Sequence, residues 1–206
     1  MASLTLDEFA KLIQTAPAKG PRTFALPISI RLLADQLTPV LAYRRLVSAD
    51  ERHEPSFLLE SVEGGERQGR HSILGAQPVR EVLARGHEVT TSDHATGTSK
   101  TTTEADPLLT LRGLSAHLQL LKPPDRRGGL PNCFLGGWVG FAAYDAVRYA
   151  EPEKLNRPPR DDRNLPDLQF GFYDGVIVFD HVDKLVRLSR PFLPLVVLLA
   201  RSCLPD

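Results

Sequence analysis

Leu168-Gln-Phe-Gly-Phe-Tyr-Asp-Gly-Val-Ile-Val-Phe-Asp-His-Val-Asp-Lys-Leu-Val-Arg-Leu188 holds three short apolar runs separated by turn-forming residues. Leu168–Tyr173, Val176–Phe179 and Leu185–Leu188 are too short for helices and rich in aromatic and β-branched side chains, so they read as strands. Asp174-Gly175 is a hairpin signal, and Asp180–Lys184 supplies a second turn. The stretch therefore predicts a three-stranded antiparallel meander.

Working back towards the N-terminus, strands are expected near 56–61, 70–76, 79–85 and 87–92, with Arg85-Gly86 turning one hairpin. Phe24, Leu26, Ile28 and Ile30 alternate as a half-buried strand does, while Pro27 moves that strand towards a sheet edge. Helices are fewer. Thr5-x-x-Glu8 has the form of a capping box ahead of Phe9, Leu12 and Ile13. Thr38-Pro39 offers an N-cap and a proline at the first helical position. Asp106-Pro107 introduces a third helix, whose apolar face is read as Leu108, Leu109, Leu111, Leu114 and Leu118. The Ser92–Ala105 segment, rich in Thr and Ser, reads as an exposed loop or hairpin tip. Lys122–Gly129 reads as a linker and Lys154–Arg163 as a basic, proline-rich loop. Strands outnumber helices without alternating with them, so the fold class is α+β, mostly antiparallel sheets with a few flanking helices.

Composition excludes several classes. Lys plus Arg and Asp plus Glu each total 25 residues of 206, so no net field draws nucleic acid or an anionic membrane surface. Cys133 and Cys203 form neither a disulfide framework nor a metal site and are expected as reduced thiols. The longest apolar run, Leu195–Ala200, is too short to span a bilayer. A soluble protein is expected.

Motifs for chemistry are scarce. Gly136-Gly-Trp-Val-Gly140 lacks the Lys-Ser/Thr of a phosphate loop, and in its apolar setting the glycines point to close backbone packing or a bulge. Asp180-His181-x-Asp183 could hold a metal, but at a turn it reads as a solvated polar tip. No catalytic residue is identified. The pair Glu60-Ser61 is different, because it closes the apolar run Phe57-Leu58-Leu59. A carboxylate at a strand end either faces solvent, forms a structural salt bridge, or meets a ligand. A carboxylate for an ammonium and a hydroxyl for a carboxylate suit a zwitterionic amino acid, and Arg70, opening the next strand, can add positive charge.

Several blocks resemble anthranilate synthase component I. They are Leu37-Thr-Pro-Val-Leu-Ala-Tyr-Arg44, Leu58-Leu-Glu-Ser-Val-Glu-Gly-Gly65, Gly69-Arg-His-Ser-Ile-Leu-Gly75 and Gly136-Gly-Trp-Val-Gly-Phe-Ala-Ala-Tyr-Asp145 with Val147-Arg-Tyr149. Asp161-Asp-Arg-Asn-Leu-Pro-Asp167 and Val176-Ile-Val-Phe-Asp-His181 continue the series, which covers about residues 25–188 and is most similar to the plant and algal branch. The resemblance implies the N-terminal regulatory part of an enzyme that makes anthranilate from chorismate in tryptophan biosynthesis, with a glutamine amidotransferase subunit as partner. It implies an L-tryptophan inhibitor site carried here by Leu59, Glu60, Ser61 and Arg70. The family's chorismate and magnesium residues lie in a C-terminal domain, so no cofactor is expected in this chain, and alone it is expected to be inactive. The expected organisation is an N-terminal helix and linker (1–22), the family's N-terminal domain (23–190) and a disordered tail outside the family pattern (191–206). The expected location is the plastid stroma if a transit peptide precedes the chain, and otherwise the cytoplasm. Aminodeoxychorismate synthase component I and a free-standing amino-acid-binding module remain as alternatives.

Overall fold

A computed structural model describes residues 6–15, 23–33, 36–47, 55–60, 69–121, 130, 132–155, 157 and 160–192. The chain forms two compact units, one from residues 1–76, 117–136 and 174–206, the other from 77–116 and 137–173. The first holds helices α1 (Leu6–Thr15) and α2 (Pro39–Leu46). Its strands are β1 (Thr23–Leu33), β2 (Ser56–Leu59), β3 (His71–Ala76), β7 (Leu118–Leu120), β10 (Val176–Asp180) and β11 (Leu185–Phe192). The second holds β4 (Arg80–Arg85), β5 (Glu88–Asp93), β6 (Thr98–Thr103), helix α3 (Leu108–Ser115), β8 (Gly137–Ala142), the short helix α4 (Val147–Ala150) and β9 (Leu168–Tyr173).

The first unit carries a six-stranded sheet in the order β2-β3-β10-β11-β1-β7, antiparallel except where β7 runs parallel to β1. Helix α2 starts as expected: Thr38 is its N-cap, its Oγ1 accepts from Leu41 N at 3.2 Å, and Pro39 occupies the first turn. Ala42 packs with Leu74, Phe179 and Val186, flanked by Leu58 and Ile177. Full burial of a side chain such as Leu74 contributes about 1.5–3 kcal/mol. Pro27 lies opposite Pro191, past the three residues of β1 that pair with β7. A proline lacks the N–H a second neighbour would need, and none of the described strands pairs with that side of β1 here, but the strand as a whole stands between β11 and β7 rather than at the sheet edge its sequence suggests. Thr5 and the Lys122–Gly129 linker lie outside the described residues.

The second unit is a fully antiparallel five-stranded sheet, β6-β5-β4-β9-β8. Val82, Ala84, Val89 and Leu168 are completely buried on one face, with Ala146 and Tyr149 against them. Gly140 confirms the close-packing expectation. A Cβ there would lie 2.0 Å from the Gln169 carbonyl oxygen, so any larger residue would push β8 off β9.

Three expectations are corrected. The meander does not form, because β9 is filled on both edges by β4 and β8, while β10 pairs with β3 and β11. Gly175 lacks the positive φ of a tight hairpin turn, and the chain changes units at Tyr173–Asp174. The Asp180–Lys184 turn does form, with Lys184 at φ 53°. The threonine-rich segment is not all tip. β-Branched Thr favours extended backbone, and Thr90–Thr101 and Ser92–Ser99 pair hydroxyl to hydroxyl across β5 and β6 at 3.0 and 3.1 Å. Leu118 is not on the third helix. That helix ends at Ser115, and Leu118 pairs with Thr23 as the first residue of β7.

Candidate functional site

The candidate residues fall at one end of the first unit's sheet. β2 and β3 run antiparallel with Leu59 opposite Ile73, so the chain leaves β2 and enters β3 at the same end. Leu59 is 52% exposed. Glu60 follows it, exposed, with no partner among the described residues. Both Leu59 and Glu60 are thus exposed rather than buried, and among the described residues nothing engages the Glu60 carboxylate. Ser61 lies outside the described residues.

Arg70 is committed. Its Nε donates to both carboxylate oxygens of Asp180 at 3.1 Å, and its Nη2 donates to Asp180 Oδ2 at 2.8 Å and to Asp183 Oδ2 at 3.0 Å. The structure thus brings Arg70 to the β10–β11 turn. It is β-pairing that does this: His71 lies opposite Asp180, and His181 N donates to the Arg70 carbonyl at 2.8 Å.

The Asp180–Asp183 turn is not the solvated tip its sequence suggests. The Asp180 side chain is 1% exposed, and its Oδ1 also accepts from Val182 N and Asp183 N, each at 3.1 Å. Burial works to raise the Asp180 carboxyl. The Arg70 hydrogen bond and the amides of Asp183 and Val182 outweigh it and hold the group down at about 2. The same contacts raise Arg70, first through the hydrogen bond and charge of Asp180 and then through Asp183. Asp183 differs from its neighbour, its side chain being 48% exposed. Around this pair, Ser72 Oγ and His181 Nε2 are 2.7 Å apart, and His71 Nε2 stands 3.6 Å from Asp180 Oδ2, buried without a hydrogen bond. Burial pushes the Cys133 thiol up to about 11, leaving it protonated and inert at neutral pH.

Asp180 and Asp183 are the residues that sequence reading missed as partners of Arg70. Their spacing on the turn was visible, but the arginine they serve lies 110 positions away from Asp180, and only the β3–β10 register joins them. Among the described residues, no group of three or more His, Cys, Asp or Glu side chains is placed to hold a metal. None of the described helices is long and apolar enough to cross a membrane.

The chain is 47% identical over 167 residues to the chloroplastic anthranilate synthase alpha subunit 1 of Arabidopsis thaliana, a match covering 79% of this chain and 28% of the other. Anthranilate synthase component 1 of Pseudomonas aeruginosa is 39% identical over 158 residues, 76% of this chain and 30% of that protein. The chain belongs to the anthranilate synthase component I family. It spans less than a third of the length of these relatives. The solved structure of anthranilate synthase component I from Streptococcus pneumoniae TIGR4 covers 75% of this chain at 26% identity, with a TM-score of 0.38 and 29% of its own length matched. No protein-family model matches the chain. In this chain Leu59, Glu60 and Arg70 stand at one end of the β2–β3 pair, with the arginine held by two aspartates.

Proposed function

We propose that this chain is the tryptophan-sensing part of an anthranilate synthase component I, and that the L-tryptophan it binds lowers synthesis of anthranilate from chorismate. The observation that carries the reading is Glu60, an exposed carboxylate with no partner among the described residues, directly after β2 and at the same sheet end as Arg70. An amino acid bound there would place its ammonium on Glu60 and its carboxylate towards Arg70, with Ser61 adding a hydroxyl. The apolar Leu59 beside them suits an indole ring. Kinship with plant proteins named chloroplastic supports a plastid setting. A glutamine amidotransferase partner and the handling of chorismate and magnesium outside these residues complete the proposal.

Calorimetric titration of the 206-residue chain with L-tryptophan tests it. Saturable binding is expected, and Glu60→Gln should weaken it about tenfold, the effect of losing one charge-assisted hydrogen bond of about 1.5 kcal/mol. No binding by the wild type, or equal affinity in the variant, would remove Glu60 from the role.

A further inference from the structure

A guanidinium offers two edges on which a carboxylate can sit bidentately, a side edge made by Nε and Nη2 and an end edge made by Nη1 and Nη2. In Arg70 the side edge belongs to Asp180, which takes Nε at 3.1 Å and Nη2 at 2.8 Å. Asp180 is buried and further tied by two backbone amides, so it is a fixture. The end edge is occupied only in part. Asp183 takes the second N–H of Nη2 at 3.0 Å, and Nη1 makes none of these bonds. Asp183 is 48% exposed, and its own backbone N–H goes to Asp180 whether or not its side chain stays on Arg70.

From this asymmetry we infer that the end edge of Arg70 is the seat for a ligand's carboxylate, and that Asp183 is its resident competitor. A carboxylate docking on Nη1 and Nη2 must displace Asp183 from Nη2, while Asp180 keeps the guanidinium in place. Asp183 therefore sets the affinity for carboxylate-bearing ligands without shaping the rest of the pocket. The inference rests on the tryptophan-site reading and gives it a specificity-determining residue that the comparison with relatives does not supply. An exposed pair of this kind is weak, which is what an exchangeable occupant requires. Two carboxylates already surround one guanidinium, so a third anion meets net negative charge until Asp183 swings away. Its removal relieves both the competition and the repulsion.

The experiment titrates the 206-residue chain with L-tryptophan and, separately, with tryptamine, which keeps the indole and the ammonium but has no carboxylate. Asp183→Asn should bind tryptophan about two- to fivefold tighter than wild type, the range corresponding to an exposed ion pair, and should leave tryptamine affinity unchanged. Asp183→Ser, which removes the charge with a smaller side chain, should do the same. Arg70→Gln should erase the preference for tryptophan over tryptamine. Tighter binding confined to the carboxylate ligand supports the inference. Wild-type binding with no gain in either Asp183 variant, or an equal gain for tryptamine, overturns it and leaves the tryptophan-site reading standing. If wild type binds no tryptophan, both fall together.

Discussion

Each unit of the molecule fastens a hairpin with one aspartate, and the two fastenings use different chemistry. In the five-stranded unit, Asp167 Oδ2 accepts from the Tyr149 hydroxyl and from Gly86 N, both at 2.7 Å, and the same hydroxyl reaches the Gly86 carbonyl at 2.7 Å. All these donors are neutral, and the single phenolic proton is shared between two acceptors. In the six-stranded unit, Asp180 holds a guanidinium that has more N–H groups than the aspartate can use. The first latch is closed: every donor is committed to the turn it holds. The second is structural on its Asp180 side and still has N–H groups, those of Nη1, outside its bonds to the two aspartates. A latch whose neutral donors are all committed serves stability alone, whereas an ionic latch with spare donors can also answer a ligand.

The largest expected effect breaks the ionic latch. Asp180→Ala removes the acceptor of two backbone amides as well as the anchor of Arg70. The amide bonds to a charged acceptor alone put the loss at about 2–3 kcal/mol in urea unfolding. The half-exposed Arg70 is screened by solvent and adds little. The acid limb of stability should change too. A carboxyl held at about 2 when folded, against about 4 when unfolded, stabilises fully above pH 4, and that contribution is lost as pH falls from 4 towards 2. Wild type should therefore lose Tm steeply over this window and Asp180→Asn should lose less. Parallel curves would mean the folded carboxyl is not depressed.

Tyr149→Phe tests the neutral latch. Its volume is nearly conserved, so the loss reflects hydrogen bonding rather than a cavity. Burial first, and then the bond to Asp167, push the Tyr149 hydroxyl well above its ordinary range, so it remains a donor at any pH where the fold is studied. The Gly86 carbonyl loses this donor, while Asp167 keeps Gly86 N. A cost of about 1–2 kcal/mol is expected. Tryptophan affinity should not move; a change in it would contradict the division of roles between the two latches.

Much of the fold was legible because its signals are local. The Thr38-Pro39 helix start, the Arg85-Gly86 hairpin and the Asp180–Lys184 turn each depend on residues a few positions apart. What the sequence could not show depended on distant partners. Asp174-Gly175 has hairpin chemistry, but β9 was already paired on both sides by β4 and β8. The threonines of β6 became a strand because β5 offered them an edge. The site divides in the same way. Leu59, Glu60, Ser61 and Arg70 were marked by a strand end and by resemblance, whereas the two aspartates that hold Arg70 reach it only through the pairing of β3 with β10.

The smallest expected effect sharpens the comparison most, because it separates the two aspartates of one latch. Asp183→Asn should change unfolding stability by less than about 0.5 kcal/mol. Its side chain is 48% exposed and makes one bond to Arg70, itself solvent-facing, so water replaces what the substitution removes. The backbone N–H of residue 183 still donates to Asp180, and the turn keeps its conformation. Asp180→Ala measured beside it should be several times more costly. If Asp183→Asn instead unfolded the chain by more than about 1 kcal/mol, beyond the range of exposed pairs, Asp183 would be a second structural anchor. An anchor does not yield to a ligand's carboxylate, so Arg70 would then be closed on both edges, like the neutral latch.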